Sequence, residues 1–309
     1  MGSISSELLA LLRCPITGAA LRLSDGSLST VDGSRQYPVT ASGIPLFGDA
    51  WLSADGRTQR EHYDQLAPKY LTNLTYPHTQ EYMAFLDRAL FAALPESLGT
   101  VAELCCGAGE GLQLIGRRAQ RAVGVDVSTM MLEAAQREPA AVPRLLVQGD
   151  ATRLPLQGGA FDTVLMLGGI HHVNDRAALF AEVARLLRPG GLFVFREPVD
   201  DFFVWRAIRS VVYRAASSLE AGTEHPLRFQ PTASAIERAG MTLDSWRTYG
   251  FLAYCVLMNS DVLPINRLWQ YVPGIRPLTR AAARLDDVTL RVRGLQRAGL
   301  IAIGTASKQ

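Results

Sequence analysis

Apolar positions follow three different rhythms along the chain. In the first fifty residues they come in short bursts such as Leu21–Leu23 and Tyr37–Val39, separated by Asp25-Gly26, Asp32-Gly33 and Ser42-Gly43, which are turn signals between short strands. A small β-rich module is therefore expected over residues 1–55. The stretch Asp55 to Gln65 is polar and reads as a linker or the start of a helix, and helical spacing is clearest from Gln80 to Leu94. Strand-like and helix-like segments then alternate. Strands are expected at Thr100–Cys105, Arg121–Asp126, Arg144–Gln148, Phe161–Leu167 and Gly191–Glu197, and helices at Gly111–Arg118, Met130–Arg137 and Ala177–Leu187. Such alternation predicts an α/β fold, a mostly parallel sheet with helices on both faces.

After Glu197 the rhythm changes. Asp201–Ala216 and Thr232–Ala239 read as helices, Thr242–Tyr249 and Leu300–Ala306 as strands, all within one domain from residue 56 to 309. Two insertions, at about 199–232 and 251–297, interrupt it. The first places Phe202, Trp205, Ile208 and Val212 on one helical face, and the second is rich in apolar and aromatic residues from Phe251 to Tyr271. Together they read as ordinary core packing or as a helical lid over the carboxyl edge of the sheet.

Composition narrows the classes without choosing a chemistry. The 309 residues are 48% hydrophobic and 19% charged with a net charge of +2, so neither disorder nor a polyanion partner is indicated. Nucleic acid is not the expected partner. Cys14, Cys105, Cys106 and Cys255 have no framework spacing, no apolar run approaches 18 residues, and no basic region precedes the short apolar stretch near the amino terminus. A cytoplasmic protein without a disulfide scaffold is expected.

The strongest chemical signal is the segment from Val101 to Gly111, in which a strand ends in the turn Cys105-Cys106-Gly107-Ala108-Gly109 and opens a helix. Glycines let the backbone turn tightly and let a ligand approach closely. Asp126 ends the second strand, where a carboxylate can accept hydrogen bonds from both hydroxyls of a ribose. The spacing is GxGxG, with Leu112 where a dinucleotide site has its third glycine, and Glu103 would repel a pyrophosphate but suit an ammonium or a sulfonium. Asp150, after the third strand, can meet the exocyclic amine of adenine.

These segments, continued by Phe161-Asp162 to His171-His172 and by Leu187 to Gly191, resemble the ordered motifs of class I S-adenosylmethionine-dependent methyltransferases, in particular the group that includes the ubiquinone and menaquinone methyltransferases. The resemblance covers about residues 60–200 and implies a Rossmann-like seven-stranded sheet, S-adenosylmethionine as cofactor, and methyl transfer as the reaction. It implies that Gly107 and Gly109 line the methionyl part, that Asp126 holds the ribose, that Val127 or Met131 packs on adenine, and that Asp150 and Ala151 read its edge. Tyr63 and Tyr70 fall in a segment similar to the helix that closes over the cofactor, with Leu167 at the end of the fourth strand and His172 after it beside the cofactor. Cys105 stands where the commonest pattern has glycine. As thiols, Cys105 and Cys106 read as small buried hydrophobes.

The amino-terminal module resembles the zinc-ribbon module of some RNA methyltransferases and Trm112-like activators through Leu12-Arg13-Cys14-Pro15, Tyr37-Pro38 and Gly43 to Leu46. Zinc there needs four thiolate or imidazole ligands. Thr17 stands where the partner of Cys14 would be, and no Cys or His occurs from Pro15 to Arg60, so no metal is expected.

Methyl transfer requires alignment and often removal of a proton from the acceptor. His171 and His172, after the fourth strand, His225, and Glu197 at the end of the fifth are the candidate bases. The expected acceptor is a hydrophobic small molecule of quinone, terpenoid or other natural-product type, methylated on oxygen or carbon, with peripheral membrane contact as a variant. An RNA guanine methyltransferase and a non-catalytic partner subunit are the alternatives. The oligomeric state is left open.

Overall fold

The structure is a computed structural model describing residues 4–207, 225–258 and 266–309, apart from the side chains of 62, 63, 65–71 and 266. The amino-terminal segment opens with the short helix α1 (Ser6–Leu9) and folds into a three-stranded antiparallel sheet, β1 (Leu21–Ser24), β2 (Ser27–Thr30) and β3 (Gln36–Pro38). Its apolar side chains do not form a core of their own. Leu8, Leu11, Leu12, Cys14, Leu28, Tyr37 and Phe47 are buried in one cluster with Val123, Val125, Leu145, Val147 and Leu156 of the following domain. Cys14 Sγ lies 2.9 Å from the Tyr37 hydroxyl.

Helices α2 (Ala54–Asn73) and α3 (Pro77–Ala93) lead into the main sheet. The polar stretch expected as a linker or helix start thus belongs to α2. Ser53 shows why: its Oγ accepts from the amide of Gly56, satisfying one of the free N–H groups of the first turn.

The large sheet is built from β4 (Gly99–Leu104), β5 (Ala119–Asp126), β6 (Arg144–Gln148), β7 (Phe161–Leu167), β8 (Leu187–Pro198), β9 (Met241–Tyr249) and β10 (Ile301–Lys308), in the order β6-β5-β4-β7-β8-β10-β9. β4 to β8 are parallel, while β10 runs antiparallel to both its neighbours. This is the mostly parallel seven-stranded, Rossmann-like arrangement. Helices α4 (Glu110–Ile115), α5 (Thr129–Arg137) and α6 (Arg176–Leu186) make the crossovers after β4, β5 and β7.

Alternating residues of the central strands enter opposite layers, since Ala102 and Leu104 join one buried cluster and Val101 the other. The chain leaves β4 towards β5 and β6 and returns to β7 on the other side of β4, which opens a crevice at the carboxyl ends of those strands. The amino-terminal segment reaches the same edge. Leu46 bridges Gln148 in parallel, with Gln148 N donating to Pro45 O at 2.9 Å, so the end of edge strand β6 is covered.

In the later insertion the described parts are the helix Leu252–Met258, the 3-10 turn Asn266–Tyr271 and the helix Ile275–Thr289. Asp286 pins it. Its buried carboxylate accepts from the Tyr82 hydroxyl of α3 at 2.9 Å and from the amides of Phe251, Ala253 and Tyr254 at 2.8, 3.2 and 3.0 Å, capping one helix from another. Of the expected helix Asp201–Ala216, residues 203–207 are helical, and Ile208 and Val212 lie outside the described residues. No helix among the described residues is long and apolar enough to cross a membrane.

Candidate functional site

A pocket occupies the crevice, lined by residues from the carboxyl ends of the central strands and from the start of α2. Of the residues expected from sequence, Glu103, Cys105, Gly107, Asp126, Val127, Met131, Asp150, Ala151, Leu167 and His172 line it. The structure brings them together from the ends of four strands.

The turn after β4 is shaped by backbone geometry. Cys105 has φ +52°, a left-handed conformation costly for a residue with a Cβ, which is the reason glycine is the usual occupant. Gly169 has to be glycine because a Cβ there would stand 2.5 Å from the Cβ of Cys105, where the loop after β7 crosses the end of β4. Gly109 does not line the pocket. It has φ +79° and turns the chain into α4.

Each strand-end carboxylate is held by backbone amides. Glu103 is almost fully buried and accepts from Gly111 N at 3.1 Å and Leu112 N at 2.9 Å, the first turn of α4. Burial pushes its carboxyl up to about 8, against the pull of those two amides and with the charges of Glu110 and Asp126 adding to the rise. Asp126 accepts from Gly107 N at 2.8 Å and Ser128 N at 2.9 Å, and desolvation raises its pKa as well. A carboxylate has about four acceptor directions, so Asp126 keeps capacity for a ligand hydroxyl.

Asp150 is committed more fully than its position in sequence suggests. Its Oδ2 accepts from Ser53 N and Oγ at 2.8 and 2.7 Å, and its Oδ1 from Thr152 N and Oγ1 at 2.8 and 2.6 Å. It therefore ties the start of α2 to the sheet. On the opposite side of the mouth, Asp55 accepts from Asn174 N and Nδ2 at 2.9 and 2.8 Å. The first turns of α2 thus cross the pocket, adding Ser53, Asp55, Gly56 and Gln59 to its lining. Sequence reasoning missed these residues, although Ser53 is of the residue type favoured at a helix start. Gln59 is buried and its Oε1 has no hydrogen-bond partner among the described residues. Tyr63 and Tyr70 belong to α2, but their side chains lie outside the described residues.

The candidate bases separate. His172 lines the pocket, and its ring centroid lies 3.8 Å from that of His171. His171 is buried behind it, with Nδ1 2.8 Å from Glu197 Oε2. Glu197 does not reach the pocket, contrary to the expectation for it as a base there. It is fully buried, and its oxygens accept from Gly169 N at 2.7 Å, Ile170 N at 2.8 Å and His171 N at 3.4 Å, so it turns back under the loop after β7. Burial pushes it up to about 7 against those amides and the nearby His172. His225 is also displaced from the expected centre. It is exposed in a separate groove with Arg176, Asp200 and Arg228, and its backbone N donates to His171 O at 2.8 Å.

A family model described as a methyltransferase domain matches residues 102–195. The chain is 34% identical over 144 residues to an uncharacterized 37.1 kDa protein in transposon TN4556 of Streptomyces fradiae, aligning 45% of this chain with 39% of that protein. It is 31% identical over 216 residues to the demethylmenaquinone methyltransferase of Mycobacterium marinum, aligning 64% of this chain with 91% of that one. Among solved structures, a possible histamine N-methyltransferase of Thermotoga maritima matches in fold with a TM-score of 0.53 at 17% identity, over 80% of this chain and 98% of its own.

Proposed function

The chain belongs to the class I S-adenosylmethionine-dependent methyltransferases, and from that premise we propose that it methylates a hydrophobic small molecule of quinone type at the pocket beneath α2. The pocket's lining carries the reading: acceptor oxygens at strand ends, apolar walls, and an imidazole on the side of the β7 loop. The residues suit the cofactor's chemistry, because the buried Gln59 Oε1 lacks a donor and the carboxylates of Glu103 and Asp126 can meet ammonium and hydroxyl groups. S-adenosylmethionine supplies, when bound, an electrophilic methyl group on a sulfonium.

The chain's own contribution is binding, alignment and a place for a proton. Asp126, fixed by the amides of Gly107 and Ser128, holds the ribose hydroxyls, and Val127 and Met131 give adenine an apolar surface. Glu103 compensates positive charge from the end of β4. His172 presents an imidazole nitrogen to accept the acceptor's proton, while Glu197 and His171 hold the loop that carries it. The relation to demethylmenaquinone methyltransferases supports a quinone-type acceptor.

The test is turnover of purified protein with the cofactor against a panel of quinols and phenols and against bulk RNA, read as a methyl mass increment. Methylation of quinol-type acceptors, lowered about 10²- to 10⁴-fold in His172→Ala at unchanged cofactor affinity, is the expected result. Methylation of RNA alone would overturn the acceptor class.

A further inference from the structure

The helix Ile275–Thr289 carries three stripes where a surface helix ordinarily carries two. With successive residues 100° apart, Ile275, Thr279, Ala283 and Asp286 form the buried stripe against the body of the protein. Next to it run the exposed arginines Arg276, Arg280 and Arg284. The remaining face holds Leu278, Leu285 and Val288, which are 52%, 67% and 60% exposed and which Val292 (54%) continues just past the helix end. The segments that pack against this helix expose Leu252 (69%), Leu268 (55%) and Tyr271 (75%). Seven of the thirteen exposed large apolar residues among the described ones fall between 252 and 292. The exposure is therefore densest in this insertion, whereas scattered single residues would need no explanation.

Charge is concentrated in the same region. Residues 266–297 hold seven arginines and two aspartates, a net of +5 in a chain whose total is only +2. One of the two aspartates is the buried Asp286. Arg276 and Arg280 share Glu81 of α3, at 3.8 and 3.1 Å, and Arg247 and Arg291 share Asp287, at 2.7 and 2.5 Å. Arg284 and Arg293 have no carboxylate partner among the described residues.

We infer that this face docks the protein peripherally on an anionic lipid surface. An apolar stripe beside a row of arginines matches a bilayer interface, where acyl chains take the leucines and valine while headgroup phosphates take the guanidinium groups. The helix is about 22 Å long and lies along the surface, since two of its three stripes are unsuited to the hydrocarbon core. A second copy of this chain fits less well. Pairing the stripe with itself across a two-fold axis would bring the two arginine rows together with too few carboxylates to offset them. The inference is independent of which acceptor is methylated.

The experiment is co-sedimentation of the full chain with vesicles of phosphatidylcholine alone and of phosphatidylcholine mixed with phosphatidylglycerol. The wild-type protein binds the anionic vesicles at least tenfold more tightly, and the preference shrinks as salt is raised. Leu278→Glu/Leu285→Glu lowers binding to the anionic vesicles by at least tenfold. Arg284→Glu/Arg293→Glu removes the anionic preference, at about fivefold or more for each arginine that reaches the headgroups. These positions are exposed, so melting temperature and calorimetric cofactor affinity stay unchanged, and the cofactor titration reports on the methyltransferase site separately. Wild-type protein that stays in solution with both vesicle types overturns the inference, as does a leucine double variant that binds like the wild type. A wild-type dimer in ultracentrifugation that the leucine variant splits would assign the face to self-association instead.

Discussion

Cofactor affinity is expected to rise with pH, and Glu103 is the reason. Its carboxyl is buried and pushed up to about 8, so near pH 7 the free site holds it mostly protonated. A ligand carrying a sulfonium and an ammonium favours the carboxylate, and binding then releases a proton. If the ligand returned the group fully to its ordinary 4.5, affinity would climb about tenfold per pH unit from roughly 5 to 8, each unit being about 1.4 kcal/mol. Partial neutralisation gives a shallower climb, below the roughly fiftyfold that full neutralisation gives between pH 6 and 8. The ligand's α-amino group itself titrates near 7.7–8.0 and bends the curve down above pH 8, so the informative quantity is the difference between wild type and Glu103→Gln. Calorimetry at several pH values, in buffers of different ionisation enthalpy, reads both affinity and protons released. The sign for stability is opposite: the folded free protein binds this proton more tightly than the unfolded chain, so stability falls as pH rises from 4.5 to about 8 and levels off beyond. Equal pH dependence in the Gln variant, or no proton released at pH 7, would refute the reasoning.

Asp126→Ala removes the acceptor assigned to the ribose and weakens cofactor binding at least tenfold by calorimetry, since each lost bond is of order 1 kcal/mol or more. Gln59→Leu moves two observables in opposite directions: the free protein melts higher because a buried unpaired oxygen is gone, and cofactor affinity falls because its acceptor is gone too. Glu197→Ala leaves the amides of Gly169 and Ile170 unpaired in the interior, so the melting temperature drops by an amount equivalent to about 2–4 kcal/mol and turnover falls more than cofactor binding does. Asp286→Ala frees the first turn of the helix Leu252–Met258 from the helix Ile275–Thr289, and hydrogen exchange speeds up at Ala253 and Tyr254 ahead of the sheet.

Much of the fold was legible because the central strands are buried on both faces and so read as near-continuous apolar runs closed by glycine-rich turns. Of the ten lining residues, Glu103, Gly107, Asp126 and Asp150 were legible from position, because a strand's carboxyl edge is a one-dimensional fact, while Val127, Met131 and Ala151 came through the family resemblance. What escaped depends on contacts distant in sequence. The start of α2 looked like a linker because Gly56 and its polar neighbours are poor helix formers, and the bonds that hold it come from Asp150 and Asn174, 97 and 119 residues away. Glu197 looked like a base because a carboxylate at a strand end ordinarily faces the crevice; whether it turns inward is decided by the amides of the loop after β7, 26 to 28 residues earlier. Cys105 was visible as a departure from glycine, and its positive φ gives that departure a physical meaning.

The four strand-end carboxylates share one arrangement with two uses. Glu103, Asp126, Asp150 and Glu197 each accept from two or more backbone amides or hydroxyls of a neighbouring loop, and so each fixes the turn that shapes the pocket wall. They differ in what is left over. Glu197 has no face on the pocket and acts on the site only through the loop it holds, whereas Glu103 and Asp126 keep an open side. Asp150 sits between these cases, since both its oxygens are engaged, one of them by Ser53 of the segment that crosses the mouth. If Asp150 reads the amine of adenine, it has to share or exchange the Ser53 bond, and binding at that end of the pocket is then coupled to the position of α2. The latch from Asp55 to Asn174 lies on the opposite side of the mouth, two residues beyond His172. One short segment, residues 53–59, is thereby tied to both sides of the mouth, to Asp150 and to the loop that carries His172, and its glycine is required because a Cβ on Gly56 would collide with the Asp150 carboxylate.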